Sequence, residues 1–465
     1  MTKFRHRKIG LREAGSLTLT FCLLLPVVFF LLISLYDFDI KSRKDLDLAR
    51  YLAANLEVNL AAYDQQLWQD FGMLAYNELS FSTVPSSHFD NEAEISIHGE
   101  SSLAEPEVLK EQILRHMKIR FPTELIIDIL DRMQGLDSIS VETCISEILA
   151  SDGSKKARNL LQDEETSEDA EWKEELCEYL DTEINSLYTD IASSLMPVHI
   201  YDERGDITGG GKPDFFDPVG MSRLADVVDG VLATPESTSL DKLYLASYVT
   251  NYFPASVEGR IISNTMVPRH TPDGRSHADL LPLRGAEAEE IITGIKGNDA
   301  AGEIRAILVL VRSLIQLIHH FQDEGLRNTY KITAGIIVTA VALISLGHVS
   351  IPLEAVEYLL LLSDAIKDGR RDAIELQEGH GVDFWPGNSE DALVLYYHDY
   401  LLLFLLFQKE ETLLSRLETI ISRHNPGPSW VWLSASASYA DKTITFDSGY
   451  MDRRYKYTAE GVSDD

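Results

Sequence analysis

Of the residue patterns that announce chemistry, this chain has few. It has three cysteines in 465 residues. Cys22 sits inside an apolar run, so only Cys144 and Cys177 could bridge, and a chain of this size does not rest its fold on one disulfide. Whether those two pair or stay as separate thiols on helices is open. There is no Gly-x-Ser-x-Gly, no His-Glu-x-x-His and no Cys-x-x-Cys, which removes the commonest serine-hydrolase, zinc-protease and dithiol signatures. Gly209-Gly210-Gly211-Lys212 fails as a phosphate loop, because Asp206 stands at the first glycine position and Pro213 at the Ser/Thr position. Basic residues are scarce as well: 41 Lys and Arg face 74 Asp and Glu, a net charge of −33. Such a surface repels nucleic acid and anionic lipid headgroups, so no nucleic-acid partner is expected.

What the chain does have is one dominating stretch, Gly15 to Phe71. From Leu17 to Tyr36 no residue is charged, long enough for a helix to cross a bilayer. Beyond it Leu46, Ala49, Ala53, Leu56, Leu60, Tyr63 and Leu67 recur at steps of three and four, a heptad seam along one helical face. The pattern predicts one rod that starts in lipid and continues into water. The seam would dock either a partner helix or the protein's own sheet.

Charge sets the expected topology. Residues 1–36 hold Lys3, Arg5, Arg7, Lys8 and Arg12 against Glu13, a balance of +4 that leaves −37 on the remainder. Basic residues are retained on the cytoplasmic side, so the N-terminus is expected inside and the body outside. A cleaved secretory signal is the competing reading. The apolar core exceeds the usual signal length and no small-x-small cleavage site follows it.

Downstream, Glu78–Val84 and Ala93–His98 alternate as short strands around a Pro85 turn. A helical period runs from Pro106 to Phe121, and Leu125–Met133 continues it. Residues 150–178 read as a solvated acidic helix, and 202–222, with three consecutive glycines and two prolines, as a loop. Leu243–Phe253 and Ile291–Phe321 look helical. The uncharged run 332–347 is short for a second crossing and its flanking charges oppose one, so a core helix packed on all sides is expected, with a second membrane segment as the alternative. Leu393–Phe407 reads as another core helix. From Trp430 the period becomes two, with Val431, Leu433, Ala435 and Ala437 on one face and Trp432 with serines on the other. Lys442–Phe446 and Arg454–Thr458 complete a C-terminal meander whose natural partners are the strands after the rod. Gly461–Asp465 reads as a frayed tail.

Candidate ligand groups are weak. Asp202, Glu203, Asp206 and Asp214 surround a glycine-rich loop, but Arg204 breaks the helix-loop-helix calcium spacing. Arg204-Gly205-Asp206 spells an adhesion tripeptide too short to carry meaning. His319 and His320 point a quarter-turn apart on a helix and do not share a metal readily. His398 reads as a hydrogen-bonded core histidine. No metal, cofactor or catalytic residue is assigned.

The opening, a basic tail followed by Gly15-Ser16-Leu17-Thr18 and a leucine-rich span with Pro26, resembles the type IV pilin and pseudopilin class. In particular it resembles the TadE/TadG-like proteins of tight-adherence (Flp-type) pilus loci. The resemblance extends along the chain to a Gram-positive family found with such loci. It is carried by Ala62-Tyr63-Asp64 to Phe71-Gly72-Met73-Leu74, by Gln112-Ile113 to Met117-Lys118-Ile119-Arg120, and by Leu243 through Tyr248 to Tyr252-Phe253. Glu287–Gly294 with Val311-Arg312, Ala365–Gly379, and Tyr397–Leu401 leading to Arg416 follow in the same order. In that class a glutamate stands five places after the processing glycine; here Thr20 holds that place. The resemblance therefore implies an uncleaved, fixed assembly component.

The expected protein is α+β and mostly helical. A single transmembrane helix continues into a long extracytoplasmic helix, with a helical body and a small antiparallel sheet from residues 78–98 and 430–458. Its expected segments are a cytoplasmic tail (1–15), a membrane helix (16–36), a rod (37–71) and strands with an acidic helical lobe (72–201). The loop 202–222, a helical lobe (223–429) and the meander (430–465) follow. The expected partners are the lipid bilayer and pilin or secretion-system membrane subunits. The alternative is a membrane-anchored extracytoplasmic enzyme or ligand sensor.

Overall fold

The structure is a computed structural model describing residues 11–77, 94–120, 141–162, 197–201, 207–211, 240–344, 351–387, 393–439, 442–450 and 456–461. The expected strand 78–84, the helix 125–133, the acidic run beyond 162, Cys177, Asp202–Asp206 and Asp214 lie outside these residues. The chain divides into two compact units and passes between them four times: residues 1–65, 74–103 and 427–465 form the first, 66–73 and 104–426 the second.

The first unit is built on α1 (Leu11–Ala61), 51 residues with Pro26 inside it. At 1.5 Å per residue it is about 77 Å long. Its apolar beginning is bare: Phe30 is 79% exposed and Phe21, Leu23 and Phe29 more than half exposed. Among the described residues it is the one helix long and apolar enough to cross a membrane. Residues 37–44 are also exposed along their whole circumference. A lone helix in water needs local support, and here Arg43 pairs with Asp39 at 3.0 Å and Arg50 with Asp47 at 3.6 Å, the spacings at which opposite charges meet on a helix surface.

From Leu48 onward α1 lies on a five-stranded antiparallel sheet made of β1 (Tyr76–Asn77), β2 (Glu94–Ser102), β9 (Ser429–Tyr439), β10 (Lys442–Gly449) and β11 (Lys456–Gly461). The long strand β9 is central. β2 pairs along one side of it, with Ile97 opposite Ala435, and β10 along the other, with Phe446 opposite Ala435. Trp430 pairs with both Ser102 and Tyr76, so β1 takes up the lane of β10 where that strand ends. The strict alternation of β9 is realised: Leu433, Ala435 and Ala437 form the core with Leu48, Leu52, Leu56, Tyr76 and Ile444. Small alanines on the sheet let the helix leucines approach. On the opposite face Ser96 and Ser436 bond across strands at 2.7 Å and Ser434 donates to Asp447 at 2.7 Å.

The rod is not one helix to residue 71. It ends at Ala61, and after Ala62–Asp64 a separate α2 (Gln65–Phe71) begins. The break is fixed by its hydrogen bonds: Ala62 N–H goes back to Asn59, whereas Asp64 N–H goes to the Ala75 carbonyl, leaving the helical ladder for the strand side.

The second unit is helical. Its centre is α9 (Asn298–Gln322) against α11 (Leu353–Gln377), with α10 (Glu324–Ile344) between them in sequence. Gly369 makes the crossing of α9 and α11 close, since a Cβ there would meet the Ser313 backbone nitrogen at 2.4 Å. One turn away, buried Arg312 bonds Asp372 at 2.6 and 3.0 Å, the Phe384 carbonyl at 2.9 Å and Tyr400 at 3.1 Å, and Gln316 also reaches Asp372. A buried charge is tolerated only when paired and bonded in this way.

Around this pair stand α3 (Pro106–Arg120), α4 (Val141–Ala150), α5 (Asp152–Gln162), α6 (Leu240–Tyr252), α7 (His277–Arg284), α8 (Glu287–Thr293), α12 (Tyr397–Phe407) and α13 (Glu410–His424). Three two-stranded hairpins accompany them: β3 (Val198–Tyr201) with β4 (Ile207–Gly211), β5 (Gly259–Ile262) with β6 (Thr265–Pro268), and β7 (Val382–Asp383) with β8 (Val394–Leu395). Gly209–Gly211, expected in a loop, thus form a strand. The expected helix 291–321 is broken by Gly294, in the left-handed conformation, and Gly297. The run 332–347 is corrected too. Of α10, Ala334 and Val341 are buried, but Ile332, Ile336 and Leu343 are 68, 66 and 71% exposed. Absence of charge marked an apolar helix, but not one enclosed on all sides.

Candidate functional site

The expected assembly surface is α1. Gly15, Ser16, Leu17 and Thr20 fall inside the unbroken helix, and Pro26 lies within its exposed apolar part. The seam residues separate. Leu56 is fully buried against the sheet, Leu60 packs on the same core from the side, and Ala49, Ala53 and Tyr63 are half-buried. Leu46 is 51% exposed. Leu67 is buried, but on α2 within the second unit. The line that faces the sheet is Leu48, Leu52, Asn55, Leu56 and Asn59, displaced from the heptad read in the sequence. Two asparagines can sit on it because Asn55 and Asn59 donate to carbonyls one turn back, at 2.9 and 2.8 Å, and Tyr76 donates to Asn59. The large apolar side chains that α1 leaves exposed beyond the apolar end are Phe38, Ile40, Leu46 and Val58.

The second unit concentrates its titratable groups around α8, whose three glutamates are all buried. Glu287 pairs with Arg284 and His424, Glu290 with Arg423, and Arg416 bonds the Ile291 and Ile292 carbonyls at 2.9 and 2.6 Å. Among the described residues no cation pairs with Glu289. It accepts from the Ser256 amide and hydroxyl and from Tyr397 at 2.7, 2.6 and 2.8 Å, and burial raises its pKa against those bonds. The same neighbourhood grips α2. The Arg284 guanidinium lies 4.5 Å over the Phe71 ring, and Tyr248 donates to the Phe71 carbonyl at 2.7 Å.

A second cluster joins α3, α6 and the turn after β6. His116 Nε2 meets the Tyr252 hydroxyl at 2.5 Å, Tyr252 donates to Asp273 at 3.2 Å, and Arg120 holds the other Asp273 oxygen at 2.6 Å. Burial, followed by Arg120, pulls His116 down to about 4, and burial also pushes Tyr252 up. At neutral pH the histidine is therefore uncharged and the tyrosine protonated, a relay without a nucleophile. Sequence reading missed this trio because its members are 136 and 21 residues apart and none belongs to a spaced motif. His398 is buried as expected, but neither ring nitrogen has a well-formed hydrogen bond. Among the described residues no group of three or more His, Cys, Asp or Glu is arranged to hold a metal ion. Cys144 accepts a long contact from Gln322 at 3.6 Å.

Fold and site together define a mostly helical protein with a small antiparallel sheet and one long, bare apolar helix at its N-terminal end. Comparison with family models, with curated proteins and with solved structures gave no match.

Proposed function

We propose that this chain is a membrane-anchored extracytoplasmic structural component of a Tad-type pilus or secretion apparatus, pseudopilin-like, with its N-terminus in the cytoplasm. The observation that carries the reading is α1: its apolar portion from Phe21 to Tyr36 is bare surface, and the same unbroken helix becomes a core element beneath the sheet. Thirteen exposed apolar and aromatic side chains between Phe21 and Tyr36 have no stable place in water, so lipid or neighbouring helices cover them. The ordered resemblance to the TadE/TadG-like family supports the apparatus named here. Thr20 in place of glutamate supports a fixed rather than a processed subunit.

Leu46 and Val58 are the contact points for a partner helix, since the face with Leu52 and Leu56 is occupied by the sheet. Three experiments on the full chain in cells test the proposal. Protease added to intact spheroplasts should digest the body, and full protection of residues 80–465 would overturn the orientation. Mass spectrometry should find the N-terminus upstream of Gly15, whereas a mature terminus at Ser16 would sink the uncleaved reading. A photo-cross-linking residue at Leu46 or Val58 should trap a membrane or pilin subunit, and no adduct from either would remove the assembly role.

A further inference from the structure

The helical unit carries an apolar surface of its own, on α10. Ile332, Ile336, Thr339 and Leu343 follow one another at steps of four, three and four, which stacks them on one helical face. All four are exposed, and the stripe runs about 17 Å along the helix. The opposite side of α10 holds Ala334 and Val341, both fully buried. Contacts with α11 keep the helix from rolling the stripe inward: Tyr330 donates to Asp364, and Arg327 pairs with Glu357 at 3.6 Å.

The exposed threonines of α10 turn their hydroxyls onto their own helix. Thr329 donates to the Gly325 carbonyl at 3.0 Å, Thr333 to the Thr329 carbonyl at 3.1 Å and Thr339 to the Gly335 carbonyl at 2.6 Å. Covering this face therefore strands no hydroxyl donor, which removes the usual cost of taking such groups out of water. Charge also sets the stretch apart. Gly325 to Leu353 is the longest run of the chain without an acid, and its two charges, Arg327 and Lys331, are both positive. In a chain of net charge −33 this is a local exception to the acidic surface. Lys331 is exposed immediately before the stripe begins, and Arg327, one turn earlier, keeps nearly half its side chain in solvent beside Glu357.

We propose that this face of α10 docks on a lipid bilayer, with the stripe in the acyl boundary and Lys331 and Arg327 at anionic headgroups. The cations and the absence of acid around them supply the charge complementarity. A second copy of the chain fits less well: three large apolar side chains fall far short of the roughly 800 Å² per partner that a stable interface buries. A lipid surface needs no matching shape, and a chain already anchored by α1 meets it at high effective concentration, so a short stripe suffices. The inference rests on the anchor reading for that proximity alone.

The test places the full chain, one per disc, in nanodiscs of phosphatidylcholine with or without phosphatidylglycerol. Cys22→Ser, Cys144→Ser and Cys177→Ser clear the background, and one cysteine bearing an environment-sensitive fluorophore is introduced by Ile336→Cys, Leu31→Cys or Thr419→Cys. Spin-labelled acyl chains report contact with lipid, and iodide reports contact with water. The label at Leu31 should be quenched by lipid and that at Thr419, exposed on α13, by iodide. Ile336 should behave as Leu31 does, with emission cut at least about twofold by the lipid quencher and more in the anionic discs. Leu343→Cys, a second position on the stripe, should agree. Lys331→Gln should abolish the preference for anionic discs without changing the far-UV spectrum. Lipid quenching at Leu31 with none at Ile336 overturns this proposal and leaves the anchor standing, whereas none at either position overturns both. An Ile336 label shielded from both quenchers means that another part of the chain covers the stripe, and shielding that appears only with two chains per disc means that a second copy does. Either result overturns the lipid assignment.

Discussion

Lowering the pH from 7 to 5 should destabilise the helical unit through His277 in a way one substitution can isolate. In the folded chain burial, then Arg269, lowers the pKa of His277 from 6.5 to about 4; unfolded, it has the ordinary value. As pH falls through about 6.5 the unfolded chain takes up this proton and the folded chain does not, so stability drains away until about pH 4, where both forms are protonated. The slope approaches about 1.4 kcal/mol per pH unit in that window. Integrated from pH 7 to pH 5 it amounts to about 2 kcal/mol, a large share of the roughly 5–15 kcal/mol that holds a domain together. The side chain is 1% exposed, so solvent screening does not erase the effect. The assay is urea unfolding of the full chain in micelles at several pH values in a zwitterionic buffer, with His277→Gln measured beside the parent. The glutamine variant should be less stable at pH 7 but should lose about 2 kcal/mol less between pH 7 and pH 5. The carboxylates titrate in both proteins and cancel. Equal losses in the two would refute the assignment.

Other substitutions probe separate parts of the structure. Leu52→Ala, at a fully buried position between α1 and the sheet, should cost about 2–5 kcal/mol in urea unfolding, while Leu46→Ala should stay within about 0.5 kcal/mol. Gly369→Ala should cost about 1–3 kcal/mol by forcing α9 and α11 apart, and an unchanged or raised melting temperature would contradict the close crossing. Glu289→Gln, which can keep hydrogen bonds to Ser256 and Tyr397, should be milder than Glu289→Ala, which leaves those donors buried and unmet at about 1–3 kcal/mol; equal losses would show that those bonds do not matter.

Elements whose period is short and unbroken were legible from sequence. The two-residue alternation of β9 identified its buried face residue by residue, and its pairing with the strand after the rod followed from the shortage of other partners. The existence of α1 was plain for the same reason, but its working face was not. Leucines fall on two neighbouring stripes between residues 46 and 60, and choosing between them depends on Asn55 and Asn59, which look wrong for a core until their bonds to their own helix are seen. The break at Ala62–Asp64 depends on a strand amide partner, Ala75, that a helical pattern cannot report. The exposed side of α10 escaped because hydrophobicity says what a surface prefers, not what reaches it. The His116–Tyr252–Asp273 trio exists only through tertiary contact, so no spacing in the chain encodes it.

The bare portion of α1 between Tyr36 and Leu48 has a mechanical consequence. The twelve residue steps from Tyr36 to Leu48 make a strut about 18 Å long, stiffened by the Asp39–Arg43 and Asp47–Arg50 pairs. Because the same helix goes on to become the floor of the β-sheet, a pull on its apolar end loads the sheet in shear along Leu48, Leu52 and Leu56 at once. Peeling strands one by one is a weaker mode of failure than shearing such a contact. The load therefore enters the sheet through the buried contact of Leu48, Leu52 and Leu56.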